Sequence, residues 1–338
     1  MSAATYGHML HRRTKFPGHP LPCGDMSIRE LQGTSDIVMI RPVNFAGNPQ
    51  TLASNRFQSE TAHLAASEAQ AAAAREFDGL VEVLTRAGVS VHTFADTPEP
   101  HTPDSIFPNN WVSFHADGSV VLYPMLAENR RQERRNDLLD RLSVELGFRI
   151  TRILDMTAHE RDNKFLEGTG SLVLDRVNRI AYACISPRTD VDVLGDFAQQ
   201  LDYEVVAFEA QDSGGTAIYH TNVLMCIGTR FAAVCSACIR AAERDAVVGT
   251  LRTTGHEIVD LSLEQLSEFA GNMLELRSAR GETLIAMSQR ALDSLSPQQR
   301  ATLGRSGTLI AAPIPTIETL GGGSVRCMLA EVHLPKKQ

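Results

Sequence analysis

The feature that most constrains this chain is a structural unit that recurs about every fifty residues. Five times an apolar strand pattern is followed by an amphipathic helical pattern: 36–45 then about 54–88, 119–125 then 131–146, 179–186 then 189–201, 230–236 then 238–252, and 283–288 then 290–304. The helix at 189–201 is read most clearly, with Leu194, Phe197, Ala198 and Leu201 on one face. A second short strand follows each helix, at 89–94, 148–154, 204–208, 257–261 and 308–312, then a loop, then a further strand beginning near Trp111, Ser171, Thr221, Met273 and Met328. The residues just before those last strands are Asn110, Glu167, His220, Asn272 and Cys327, spaced by 57, 53, 52 and 55. Alternating strands and helices make the fold class α/β. A period of this length suggests a closed ring of units, in which equivalent positions meet around one axis.

The repeat accounts for the chain from residue 35 onward, so 35–338 is expected to form a single catalytic domain although 338 residues would allow two. Residues 1–34 are polar and irregular and are expected to be a flexible N-terminal extension. Arg12, Arg13 and Lys15 precede the first acid, Asp25, which makes an organelle presequence the weaker alternative. A net charge of -8, from 32 basic against 40 acidic residues, argues against a surface built for nucleic acid. No apolar run reaches the roughly 18–20 uncharged residues of a membrane helix. Six irregularly spaced cysteines do not form a disulfide framework, so a reducing cytoplasm is the expected compartment. The sequence leaves a homo-oligomer open.

The five equivalent positions bring a thiol, an imidazole, a carboxylate and two amides to one axis, with Asp104 in the loop 101–111 beside them. That is the inventory of a cysteine-nucleophile hydrolase: a thiolate attacks, an imidazole moves protons, and a carboxylate holds N–H groups of the electrophile. Cys327 follows Gly321–Gly323, which permit close approach of a ligand or backbone. Arg326 beside it, or a protonated His220 facing it, would lower its pKa. Taken singly each residue has a plainer reading: an inert buried cysteine, a strand-edge histidine, a glutamate and two asparagines shaping turns. Their common phase in the repeat favours a site. Cys235-x-x-Cys238 lacks a second pair at zinc spacing and reads as packing. The glycines at 321–323 precede a strand and do not open a helix, so no phosphate cradle is expected, and neither metal nor organic cofactor is called for.

Over residues 36–334 the chain resembles the guanidino-group-modifying enzymes of the pentein fold, which include arginine deiminases, dimethylarginine hydrolases and amidinotransferases. The segments that carry the resemblance are Pro103-Asp104-Ser105-Ile106-Phe107, Asn129-Arg130-Arg131, Leu166-Glu167-Gly168, Ser186-Pro187-Arg188-Thr189, His220 and Gly322-Gly323-Ser324-Val325-Arg326-Cys327-Met328. The resemblance implies five pseudo-symmetric ββαβ units in a closed α/β propeller around a central channel. It implies Cys327 as nucleophile, His220 as general acid/base, Glu167 as the carboxylate on the substrate's terminal nitrogens and Asp104 as a second substrate-binding carboxylate. It also implies that Arg130 and Arg188 hold the α-carboxylate of an amino-acid substrate, against the alternative of solvated surface charges.

Two departures bear on the substrate. Asn110 and Asn222 stand where relatives that bind guanidinium commonly have aspartates. An amide donates to a ureido oxygen as well as accepting from N–H groups, whereas an ionised carboxylate only accepts. The expectation is therefore hydrolysis of citrulline to ornithine, carbon dioxide and ammonia. The alternatives are deimination or hydrolysis of arginine, agmatine or dimethylarginine, transfer of an amidino group, and, from another class, a non-catalytic binding ring of the same fold.

Overall fold

The computed structural model describes residues 14–15, 30–59 and 64–337. The expectation for residues 1–34 therefore lies largely outside the described residues. What is described there is the strand Thr14–Lys15, paired antiparallel with Glu204–Phe208, and the segment from residue 30 that leads into the first sheet.

Five small sheets repeat one arrangement. A central strand pairs antiparallel with the strand on one side and parallel with the strand on the other, the parallel connection running through helix. Val112–Phe114, Ser119–Leu122 and Arg152–Asp155 form one sheet, and Leu172–Asp175, Ile180–Cys184 and Glu204–Phe208 the next. Met225–Ile227, Phe231–Val234 and Glu257–Asp260 follow, then Leu274–Arg277, Thr283–Ser288 and Thr308–Ala312. The remaining sheet takes Asp36–Arg41 and Ser90–Ala95 from the start of the described chain and Ala330–Glu331 from its end. The antiparallel outer strands lie side by side: Leu172–Asp175 against Met225–Ile227, that against Leu274–Arg277, and Val112–Phe114 against Ala330–Glu331. The architecture is a mixed α/β fold.

The helices bury one stripe each. In Ala66–Arg86, Ala69, Ala73, Phe77, Leu80 and Leu84 are buried at helical spacing. In Val191–Leu201 the four residues read from the pattern are all buried, and the Asp190 side chain caps the first turn by accepting from Asp192 and Val193 N–H groups.

One of the expected helices starts late and two are broken. The long helix of the stretch read as 54–88 begins only at Ala66, and a short helical turn, Pro49–Leu52, capped by Asn48, precedes that stretch. The stretch 131–146 divides into a 3-10 turn, Asn129–Glu133, and the helix Asn136–Val144. Gln289–Ser294 and Pro297–Ser306 are separated at Ser296, which caps the second piece with Pro297 in its first turn. The strands expected near Trp111, Ser171, Thr221 and Met328 also start one to four residues later. In each case a single helical turn intervenes, at Pro108–Asn110, Gly168–Ser171, Thr221–Leu224 and Val325–Met328. These turns carry the residues of the repeat phase. Among the described residues no helix is long and apolar enough to cross a membrane.

Candidate active site

The turns deliver side chains into one narrow pocket, lined among others by Asp104, Asn110, Arg130, Arg188, His220 and Cys327. Cys327 lies in the turn Val325–Met328, and its N–H donates to Ser324 O at 2.9 Å. The glycines before it have a mechanical role. A Cβ on Gly321 or Gly323 would lie 2.8 or 2.9 Å from the Phe107 ring, and Gly322 has a positive φ of 63°. Ser324 donates to the buried Glu318 at 2.6 Å, which anchors the loop from below.

Two amides face the sulfur. Asn222 Nδ2 donates to Cys327 Sγ at 3.4 Å and Asn272 Nδ2 at 3.3 Å. Both are hydrogen bonds that favour a sulfur anion over a thiol. The cationic partner expected from Arg326 is not there. Its guanidinium turns away to Leu329 O at 2.9 Å and Glu331 at 2.7 Å, because the buried Glu331 offers it a charged partner. His220, likewise expected as a protonated neighbour, is held down to about 4 by burial, against the upward pull of Glu167, and is neutral near pH 7.

Glu167 begins the turn Gly168–Ser171 and His220 begins Thr221–Leu224, so both project from the same point of the unit. His220 Nε2 and Glu167 Oε2 are 2.8 Å apart. Burial opposes the charge on Glu167, but Arg188, His220 and Arg130 outweigh it and hold the carboxyl well below its usual range. An ionised carboxylate only accepts, so the proton sits on Nε2 and Nδ1 presents its lone pair. The other Glu167 oxygen accepts from Leu126 N–H at 3.1 Å.

Neither Arg130 nor Arg188 is a surface charge; each is 2% exposed. Arg130 makes a two-pronged contact with Glu133, both bonds 2.9 Å, and donates through Nη1 to Asn110 Oδ1 at 2.9 Å. Arg188 donates to Glu167 at 3.3 Å and Ser54 Oγ at 2.7 Å, and stacks over the Tyr219 ring at 4.8 Å. Asp104 Oδ2 accepts from Asn48 Nδ2 at 2.7 Å. Gly170 lets the floor close up: a Cβ there would lie 2.4 Å from Asn110 Nδ2 and 2.8 Å from the His220 ring.

Several buried polar atoms of this site have no hydrogen-bond partner among the described residues, namely Asp104 Oδ1, Asn110 Nδ2, Asn222 Oδ1 and Arg188 Nε. Leaving a buried polar group unpaired costs about 1–3 kcal/mol, so a cluster of such atoms marks a place where a polar ligand or water is bound. The structure thus brings together every site residue expected from sequence. It gives a place to Asn272, which sequence reading brought to the axis without assigning it a role, and adds Asn48, Asn55 and Tyr219, for which no repeat or family motif gave a signal. Cys235 and Cys238 are buried in the apolar cluster around Phe231 and Val234. Among the described residues no group of three side chains suited to a metal occurs.

Residues 41–334 match the family described as N,N dimethylarginine dimethylhydrolase, eukaryotic. No curated protein sequence matches the chain. Among solved structures, apo ArgZ, an arginine dihydrolase from the ornithine-ammonia cycle in cyanobacteria, superposes with a TM-score of 0.69 at 19% identity, over 89% of this chain and 41% of that one. The chain thus spans about two fifths of the length of full ArgZ. The N-terminal domain of ArgZ in a variant bound to substrate gives a TM-score of 0.67 at 19% identity, over 88% of this chain and 97% of that one. A dimethylarginine dimethylaminohydrolase variant in an adduct with S-methyl-L-thiocitrulline gives 0.57 at 13% identity, over 88% and 98%. These likenesses establish a mixed α/β fold similar to that of the pentein enzymes. With its profile matched over most of its length, the chain belongs to the N,N dimethylarginine dimethylhydrolase family, hydrolases of carbon–nitrogen bonds within the guanidino-modifying pentein superfamily.

Proposed function

We propose that this protein is a cysteine-nucleophile hydrolase of a ureido group and that its substrate is citrulline, cleaved to ornithine, carbon dioxide and ammonia. The five sheets then form a closed propeller of five ββαβ units within a single domain spanning 35–338, with the cavity at one end of the central channel. The observation that carries the substrate assignment is the set of unpaired atoms around the sulfur. Asn110 Nδ2 is a donor, and Asp104 Oδ1 and Asn222 Oδ1 are acceptors. A ureido group has one acceptor oxygen and N–H donors, and so complements both kinds. A guanidinium has donors only and would leave Asn110 Nδ2 unsatisfied. The orientation of that amide is fixed independently, because Arg130 can only donate and takes its Oδ1.

Cys327, with its sulfur held by amide N–H groups, attacks the ureido carbon. His220, oriented by Glu167, takes the thiol proton on Nδ1 and returns it to the departing nitrogen. A water activated by the same imidazole hydrolyses the thiocarbamate, and the carbamate products break down to carbon dioxide and amine. One water is consumed in all. A ureido carbon is a poor electrophile, so the fixed amides and Glu167 act by position and by charge stabilisation. Arg188, with Nε unpaired, is suited to the α-carboxylate, while Arg130 sets Asn110.

A second reading, hydrolysis of arginine, has a specific support: the ArgZ structures similar in fold are of an arginine dihydrolase. Purified protein tested on citrulline, arginine, agmatine and dimethylarginine, with Cys327→Ala as control, separates the two. Citrulline is expected to release ornithine and ammonia in equal amounts. Turnover of arginine without turnover of citrulline would remove the ureido assignment.

A further inference from the structure

Asn272 is buried at 0% exposure and its amide is fully committed. Oδ1 accepts from Arg326 N–H at 3.0 Å, and Nδ2 donates to Asn222 O at 3.0 Å and to Cys327 Sγ at 3.3 Å. Two backbone groups fix which end of this amide faces the sulfur. A backbone N–H can only donate and a backbone carbonyl can only accept, so the nitrogen must face the sulfur. Asn222 has no such backbone partners among the described residues: its side-chain amide bonds there to Cys327 Sγ alone, and its Oδ1 is unpaired.

Resting on the proposed cysteine chemistry and deepening it, we infer that Asn272 is a catalytic residue: its N–H stabilises the Cys327 sulfur as an anion, and its Oδ1 fixes the turn that presents the nucleophile. Both jobs fall on one side chain because the turn Val325–Met328 begins beside it. As the sulfur gives its charge to the ureido carbon, the hydrogen bond weakens, and it re-forms when the thiolate leaves the thiocarbamate. Asn272 therefore assists departure of the enzyme's sulfur in the hydrolytic step as well as its readiness to attack. An aspartate at this position would keep the bond to Arg326 N–H but present an acceptor to both Sγ and Asn222 O, and would oppose the sulfur anion.

The test is the pH dependence of Cys327 alkylation by iodoacetamide, read by peptide mass spectrometry in the wild type, Asn272→Ala and Asn272→Asp, with thermal unfolding of each. In Asn272→Ala the alkylation midpoint should rise by about one to two pH units, the worth of a hydrogen bond to a charged group. The kcat should fall at least about tenfold with KM little changed, and Asn272→Asp should shift the midpoint further. If a folded variant loses activity with an unmoved midpoint, Asn272 is only structural and the inference is overturned. If Asn272→Ala fails to fold, Asn272→Asp, which retains the bond to Arg326, decides by the same readout; an unmoved midpoint there, or failure of both to fold, overturns it too. Failure of the substrate reading looks different: Cys327 stays the most reactive cysteine and the midpoint still shifts, but citrulline is not cleaved.

Discussion

In the folded protein burial holds the His220 imidazole down to about 4, against the pull of the Glu167 carboxylate 2.8 Å away. In the unfolded chain it titrates near its ordinary value of about 6.5. Lowering the pH from neutrality therefore protonates His220 in the unfolded state first. The folded state refuses that proton, so stability is full above the ordinary value and is lost progressively between about 6.5 and 4. Between pH 7 and pH 5 the loss assigned to this one group is about 2 kcal/mol, and it levels off near 3 kcal/mol below the folded value. Other buried groups add to it; His115, held down to about 3 by burial, has the same sign. The contribution of His220 is isolated by denaturant unfolding of wild type and His220→Gln at pH 7 and pH 5. The variant will be less stable at pH 7, but the fall in stability on going to pH 5 should be smaller in it by about 2 kcal/mol. Equal falls in the two proteins would refute the assignment of a neutral, buried imidazole. The same group should place the acid limb of kcat/KM near pH 4 and not near 6.5.

The remaining expectations concern single side chains around the cavity. Asn222→Asp puts a carboxylate about 3.4 Å from Cys327 Sγ, where two unit charges repel by about 5 kcal/mol at an effective dielectric near 20; citrulline turnover at pH 7 should fall by at least a hundredfold, about 3 kcal/mol of that repulsion, as followed by ornithine release. Gly170→Ala forces a methyl against Asn110 and His220 and should cost about 1–3 kcal/mol in unfolding experiments together with most of the activity. Glu167→Gln keeps shape but no longer fixes the imidazole tautomer and removes the charge that the buried Arg188 and Arg130 face, so kcat should drop by roughly a hundredfold or more and the thermal midpoint should fall as well.

The spacing of Asn110, Glu167, His220, Asn272 and Cys327 is readable because each lies in or beside the segment that leads into an antiparallel outer strand, and strand alternation with helices survives great divergence. The turns themselves were not readable. Gly168–Ser171 and Thr221–Leu224 are four-residue helices set by the close approach of neighbouring loops, as the contact between Gly168 and Asn109 O illustrates, and no local propensity announces them. The helix break at Ser296 and the short turn that begins after Asn48 both carry capping signals, Ser and Asn before Pro, that a purely periodic reading passes over. Within the site, residue types predicted the inventory, but partners needed coordinates. Arg326 is adjacent in sequence to the nucleophile yet bonded elsewhere, because a buried Glu331 five residues on captures it. Asn48 reaches the site from a segment whose one sequence signal is that cap, through its bond to Asp104.

The most direct check is a crystal structure of Cys327→Ala with bound citrulline. The ureido carbon should sit over the position vacated by the sulfur, its oxygen on Asn110 Nδ2 and its N–H groups on Asp104 and Asn222, with the α-carboxylate at Arg188. A ureido oxygen turned away from Asn110, or a cavity that admits arginine and excludes citrulline, would contradict the account.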